Sequence, residues 1–331
     1  MSSERVTRHS MDNRILVAPM MDWTDRHCRY FMRLLSPSAR LYTEMVTAAA
    51  IVHGDHEHLL RYNAAEHPIA LQLGGSDAGW MATAALAAAN YGYDEINVNV
   101  GCPSDRVQSG QFGACLMASP DIVVRCYKAM RAVVAIPVTI KTRIGIDAHD
   151  SYDFLRRFVD PLIDAGCRTF IVHARIALLD GLSPKQNRSV PPLDYERVYR
   201  LKSDYPDLQV VLNGGVRTLA QVDEVLPHVD GVMIGRQAYQ QPYFLAELEQ
   251  HLHPEWPMPG RRAVVEQMLP YIKSELAAGE RLSRITRHMS GLFAEQPGAR
   301  AWRRTLAENA YREGAGIEVV IAALDTMSMA A

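Results

Sequence analysis

Eight short apolar runs recur along the first three-quarters of the chain, and their spacing limits the fold more than any other feature. They read "RILVAPM" (14–20), "RLYTEMV" (40–46), "IALQLGG" (69–75), "EINVNVG" (95–101), "VTIKTR" (138–143), "TFIVHAR" (169–175), "QVVLNGG" (209–215) and "GVMIGR" (231–236). Helical patterns such as 77–91, 119–133, 151–165 and 195–204 separate most of them, and a loop does so early in the chain. The segment at 119–133 opens with Ser-Pro, a helix start, and its apolar residues recur at helical spacing. Runs that are nearly all apolar suit strands covered on both faces of a parallel sheet. Eight such units, mostly alternating with helices, predict an α/β fold of the (β/α)8 TIM-barrel type rather than an open doubly wound sheet. No "GxGxxG" follows the first run, as a dinucleotide fold would require. Beyond residue 245 the strand signal stops. "HPEWPMPGRR" (253–262) reads as a linker and 263–329 as helical, so a barrel over 1–250 and an all-helical C-terminal domain over 251–331 are expected.

Composition enters as a set of exclusions. With 331 residues, 48% hydrophobic and 22% charged, the chain is long and apolar enough for a barrel core. Its five cysteines (Cys28, Cys102, Cys115, Cys126, Cys167) are scattered and odd in number, which argues against a disulfide framework and for a reducing compartment. No run approaches 18 apolar residues, and "MSSERVTRHSMDNR" lacks a signal core, so a cytoplasmic protein without membrane contact is expected. A net charge of −2 gives no global attraction for nucleic acid; any such partner must be met by a local basic patch.

In a barrel of this kind the chemistry sits where strands end. Those ends carry Pro19, Met20 and Met21, then Gln72, then Asn97, Asn99 and Cys102, then Lys141 and Arg143. The last three strands add His173 and Arg175, Asn213-Gly214-Gly215, and Gly235-Arg236. A single lysine at such an end is ordinarily a solvated rim residue, and a single histidine a satisfied core residue. Six strands placing polar or glycine residues at one end make a stronger case. Loops after the last two strands of a barrel commonly bind phosphate through backbone N–H groups that glycine lets approach, and Arg236 would add charge-assisted bonds. A flat ring over Ala18-Pro19-Met20, with Gln72 and Lys141 at its polar edge, fits a flavin; a phosphosugar would fit the phosphate site equally well.

"NVNVGCPSDRVQSGQFGACLM" (97–117) holds two of the cysteines. Two thiolates do not complete a zinc shell, no CxxC pair exists, and a nucleophile would need a neighbouring base, so no metal is expected. The remaining role for Cys102 is general acid: a thiol with a pKa of about 8.5 is mostly protonated at neutral pH and can protonate a carbanion-like centre. Cys115 is expected to pack behind a loop, "SDRVQSGQFG", that closes over substrate.

These motifs, with "APMMDWTDR", "YTEMV", "PIALQLGGSD", "VTIKTRIG", "FIVHAR", "GLSPKQNRSVPPLDY", "DGVMIGR" and "PGARAWRR", resemble those of the tRNA-dihydrouridine synthases over nearly the full length, most closely the A-type branch. The resemblance implies a flavin-binding barrel with FMN as cofactor and NADPH as reductant. The substrate it implies is a D-loop uridine at the tRNA elbow, at positions 20 and 20a. It makes Cys102 the proton donor to uracil C5 while hydride reaches C6. It places Pro19, Met20, Met21, Gln72, Lys141, His173, Asn213, Gly214, Gly215, Gly235 and Arg236 on FMN-contacting motifs and Asn99 against the target nucleotide. Lys185, Arg188, Arg300 and Arg303 fall on the tRNA-orienting signature. A monomer is expected.

A second signal agrees. Residues 281–304 carry Arg281, Arg284, Arg287, Arg300, Arg303 and Arg304 against Glu295 alone, a cationic strip suited to phosphate contacts. The ordinary alternative is a solvated helical face with charge pairing, but few acids lie nearby in sequence. A buried uracil must be flipped out to reach a barrel mouth, so the RNA around it must be held. Three rivals remain: a flavin-free phosphosugar enzyme, an RNA-binding module with a structural flavin, and a dihydropyrimidine- or dihydroorotate-type enzyme acting on a free base.

Overall fold

A computed structural model of the chain describes residues 14–104, 107 and 110–328. Eight parallel strands close a barrel: β1 (Ile15–Val17), β2 (Arg40–Tyr42), β4 (Ile69–Gly74), β5 (Glu95–Val100), β6 (Val138–Arg143), β7 (Thr169–His173), β8 (Gln209–Asn213) and β9 (Gly231–Ile234). β1 pairs with both β2 and β9, β2 with β4, and β4 to β9 in succession, so no edge is left open. The predicted barrel is the one observed.

The run 40–46 is not one strand. The Thr43 hydroxyl accepts the Gln72 N–H at 3.1 Å, the ladder breaks, and the chain resumes as β3 (Val46–Thr47) beside the top of β4. Around the barrel lie α1 (Arg26–Leu35), α2 (Ala48–His53), α3 (His56–Leu60), α4 (Ala78–Tyr91), α5 (Pro120–Val133), α6 (Tyr152–Asp164), α7 (Tyr195–Asp204), α8 (Leu219–Val225), α9 (Arg236–Gln240) and α10 (Phe244–Leu252). The four helices expected from periodicity match α4 to α7 within a residue or two. α1 replaces an expected loop. Asp25 caps it, accepting from the N–H groups of His27 and Cys28, and its buried face mixes His27 and Arg29 with Cys28, Phe31, Met32 and Leu35. That polar admixture hides the helical period from a reading by hydrophobicity.

The interior of the barrel is divided. Leu16, Ala18, Tyr42, Ala70, Ile171, Val211 and Met233 form one apolar cluster inside it. Beside them Arg40, Gln72, Glu95, Asn97 and Thr139 are all buried and polar.

The C-terminal region comprises α11 (Arg261–Ala277), α12 (Leu282–Thr286), α13 (Ala299–Asn309) and α14 (Ile317–Ser328). It is not helical throughout, because 287–298 is a run of turns. These helices dock on α1 through a polar and aromatic seam. Arg26 pairs with Glu275 at 2.6 Å, and Tyr30 stacks on Tyr271 at 3.8 Å between ring centroids. His27 Nδ1 meets the Tyr271 hydroxyl at 2.8 Å. Asp25 pairs with Arg287 at 2.7 Å and with His288 at 3.0 Å. Their apolar residues, such as Val264, Met268 and Trp302, belong to the same buried cluster as the barrel's outer face.

Candidate active site

A cavity of about 570 Å³ opens at the C-terminal ends of the strands. Pro19, Met20 and Met21 reach it from the loop after β1, Gln72 from β4, Asn99 and Cys102 from β5 and its end, and Lys141 from β6. His173, Asn213, Gly214, Gly215, Gly235 and Arg236 line it from the last three strands, and Arg188 from the loop after β7. Lys185 is exposed in that same loop but does not line the cavity, nor do Arg300 and Arg303 on α13.

The side formed by β8 and β9 is built on glycine backbone. Gly214 and Gly215 both have positive φ, +114° and +81°. A Cβ at Gly214 would stand 2.7 Å from the His173 ring, and one at Gly215 would stand 2.4 Å from Leu193, so backbone alone fits. The Lys141 ammonium donates to Asn213 Oδ1 at 3.0 Å, and Asn213 Nδ2 donates to the Met233 carbonyl at 2.7 Å. Among the described residues no carboxylate pairs with this amine; burial and then Arg143 bring its pKa down to about 7. Burial, Arg143 and Lys141 push His173 well below its ordinary value, leaving a neutral imidazole. The donor set fits a flavin phosphate and ring: a glycine cradle, an uncompensated amine, a buried amide at Gln72 and an apolar floor of Ala18, Met20 and Met233. Arg236 Nη2 donates to the Arg188 carbonyl at 2.9 Å, which ties the last barrel loop to the loop after β7.

Opposite stands Cys102, half-buried. Its N–H and that of Gly101 donate to Asn99 Oδ1 at 2.9 Å and 3.0 Å. The thiol donates to Ser104 Oγ at 3.5 Å. The Cys102 carbonyl accepts the Ala114 N–H at 2.9 Å. Lys141, Arg143 and Arg188 are near enough for the thiolate form to favour their charges. Cys115 lies outside the cavity lining, its thiol on the Phe112 carbonyl at 3.1 Å, and burial raises its pKa. All five cysteines are free. The expected closing loop, 104–113, falls partly outside the described residues, since 105, 106, 108 and 109 are not among them.

Arg143 is the functional residue that the sequence reading left without a role. Its Nε donates to the Gly101 carbonyl at 3.0 Å, and Nη1 donates to the carbonyls of Ile176 and Asn187 at 3.1 Å and 3.0 Å. One guanidinium thus holds the Cys102 turn against the "LSPKQNR" loop. The signal was available, because period-two alternation puts residue 143 on the face of Lys141. Trp23, Met45 and Arg217 also line the cavity and were not anticipated.

The arginine strip needs a correction. All six arginines are exposed, but Arg284 pairs with Glu280 at 3.5 Å and Arg287 with Asp25 at 2.7 Å. Asp25 is remote in sequence, so counting nearby acids could not find it. Among the described residues Arg281, Arg300, Arg303 and Arg304 have no carboxylate partner. Among the described residues, too, no group of three or more His, Cys, Asp or Glu side chains could hold a metal ion, and no helix is long and apolar enough to cross a membrane.

A closed parallel barrel with a glycine pair, a buried lysine and a cysteine thiol around one cavity at its C-terminal end has the architecture of a barrel enzyme. A solved structure, an old yellow enzyme homologue from Zymomonas mobilis, shares the fold with a TM-score of 0.53 at 12% identity, covering 76% of this chain and 91% of that one. The family model described as Dihydrouridine synthase matches residues 16–328, and the chain belongs to that family. A relative from Shewanella oneidensis named tRNA-dihydrouridine(20/20a) synthase is 59% identical over 94% of this chain and 93% of its own. One of the same name from Vibrio cholerae is 58% identical over 94% and 95%.

Proposed function

We propose that this enzyme reduces the C5=C6 bond of uridines at positions 20 and 20a of the tRNA D-loop, with FMN in the barrel mouth and NADPH as reductant. The observation that carries the reading is the facing arrangement of thiol and cradle across one cavity. Gly214, Gly215 and Arg236 would take the flavin phosphate; Lys141, Gln72 and the apolar floor would take the ring. A flavin bound there would be the source of the hydride for uracil C6. Cys102 would then give its proton to C5 and take one back from water. The neutral His173 would offer hydrogen bonds without adding charge. Lys185 and Arg188 at the rim, and Arg300 and Arg303 on a helical tRNA-binding domain (251–331), would hold the RNA while the base is flipped. The relatives' names and the exposed arginines support this over a free base as substrate.

The test is incubation with unmodified tRNA and NADPH, followed by mapping of dihydrouridine. Conversion at 20 and 20a is expected; a colourless protein that releases no FMN on denaturation would favour the phosphosugar reading. Cys102→Ala should keep FMN and lose about 10²-fold or more in turnover, as removal of a general acid does, whereas Cys115→Ala should stay within a few-fold. Full dihydrouridine formation by Cys102→Ala would remove the proton-donor assignment.

A further inference from the structure

The buried polar wedge inside the barrel is a ladder with a direction. At its foot Glu95 pairs with Arg40 and accepts from the Tyr42 hydroxyl at 2.8 Å, so it has only lone pairs to offer. Thr139 therefore gives its one hydroxyl hydrogen to Glu95, at 2.6 Å. Its oxygen is left to accept, and Asn97 Nδ2 donates to it at 2.8 Å. The Asn97 oxygen must then face upward, where Gln72 Nε2 donates to it at 2.8 Å. The Gln72 oxygen in turn accepts from Asn99 Nδ2 at 2.9 Å. Asn99 is left with its oxygen toward the loop, and there it receives the N–H groups of Gly101 and Cys102. Every amide has one orientation that satisfies both neighbours. Reversing any of them sets donor against donor or acceptor against acceptor.

Gln72, Glu95, Asn97 and Thr139 are each no more than 3% exposed, so water offers no alternative partner. Links in such a chain polarise one another, and the orientation of the lowest is felt at the top. We infer that Asn97 and Thr139 are positioning residues: they carry the fixed polarity of Glu95 up the barrel, so that the Gln72 and Asn99 amides at the cavity wall keep one orientation and the Cys102 backbone is anchored on an oxygen. Neither residue lines the cavity. Their effect on turnover rests on Cys102 being the proton donor; the ladder itself does not.

Thr139→Val keeps the shape of the side chain and removes the rung. Asn97 then loses its acceptor, and each amide above it is free to reverse. The backbone N–H groups of Gly101 and Cys102 should exchange with solvent about tenfold faster, which corresponds to one ordinary hydrogen bond, while amides of β7 and β8 keep their rates. Single-turnover dihydrouridine formation should fall by about the same factor with KM for tRNA little changed. Thr139→Ser restores the hydroxyl and should return both quantities toward the original values. Unchanged exchange at Gly101 and Cys102 in Thr139→Val would overturn the inference. So would acceleration spread evenly over all barrel strands, since that is loss of stability alone. Exchange is read on the protein without turnover, so an original enzyme that forms no dihydrouridine would refute the proposed function and still leave the ladder decided.

Discussion

Lys141 is an amine held inside a barrel mouth with no acid paired to it among the described residues, and its titration should report what the cavity accepts. Its folded pKa, about 7, lies below the 10.5 of an exposed lysine. Between those values an unfolded chain binds a proton that the folded chain refuses. Stability from this group is therefore lost as pH falls from 10.5 toward 7, and is level below 7. A ring carbonyl accepting from the amine, with the phosphate further along the same cavity, favours the ammonium, so FMN should bind with proton uptake above pH 7. Titration calorimetry of FMN at pH 8, in two buffers of different ionisation enthalpy, should show uptake that disappears in Lys141→Met. Absence of uptake in the original protein would place the flavin ring away from Lys141. His173 adds no charge of its own here, because burial and then the cations Arg143 and Lys141 hold it neutral.

At the scale of elements, α13 shows how one helix divides two tasks. Ala299, Trp302 and Leu306 are buried and dock it, whereas Arg300, Arg303 and Arg304 face outward. Arg284 and Arg287 are spent on Glu280 and Asp25. Replacing Arg300 and Arg303 together with alanine should weaken tRNA binding and reduce the slope of log affinity against log salt by about 1.5 to 2, two phosphate contacts' worth. Replacing Arg284 should leave that slope nearly unchanged, because its charge is already paired. Binding isotherms across a salt series measure both.

The elements were legible where one physical signal dominated. Strands covered on both sides advertise themselves as apolar runs, and α4 to α7 as amphipathic periods. α1 was illegible because Arg29 and His27 are buried by partners, Glu66 at 2.6 Å and Tyr271, that no local window contains. The strand ends disclosed Lys141, Cys102 and the glycines, whose chemistry is intrinsic to the residue type. They named Arg143 and Asn97 without a role and passed over Thr139, because what these residues do consists of what they touch.

For the whole molecule the decisive join is between α1 and the C-terminal helices. Asp25 caps α1, accepts from Cys28 N–H and pairs with His288 and Arg287, and together these hold its carboxyl well below the usual range despite burial. A carboxylate depressed in this way stabilises the fold above its unfolded pKa, 3.8, and that contribution is lost as pH falls below it. His27 is lowered by burial first, then by Arg26, so the folded state also loses ground as pH drops through 6.5, where the unfolded chain takes up the proton. Asp25→Ala should cost about 2 kcal/mol, a cap plus a partly exposed ion pair, seen as a lower urea midpoint near pH 7 and a smaller difference near pH 3. An equal loss at both pH values would mean that the charge is not what matters.

The same join has a consequence for how a uridine is chosen. The loop after β1 gives Met20 and Trp23 to the cavity, and Asp25, Arg26 and His27 follow directly into the seam with α11 and the turn beyond α12. Trp23 adds its own brace, stacked on Tyr239 at 4.2 Å. Jaw and handle are therefore joined by direct contacts of a few residues. With the RNA held on α13 as proposed, the distance to the thiol would act as a gauge, and the molecule would work as a caliper that measures along the nucleic acid rather than spelling it.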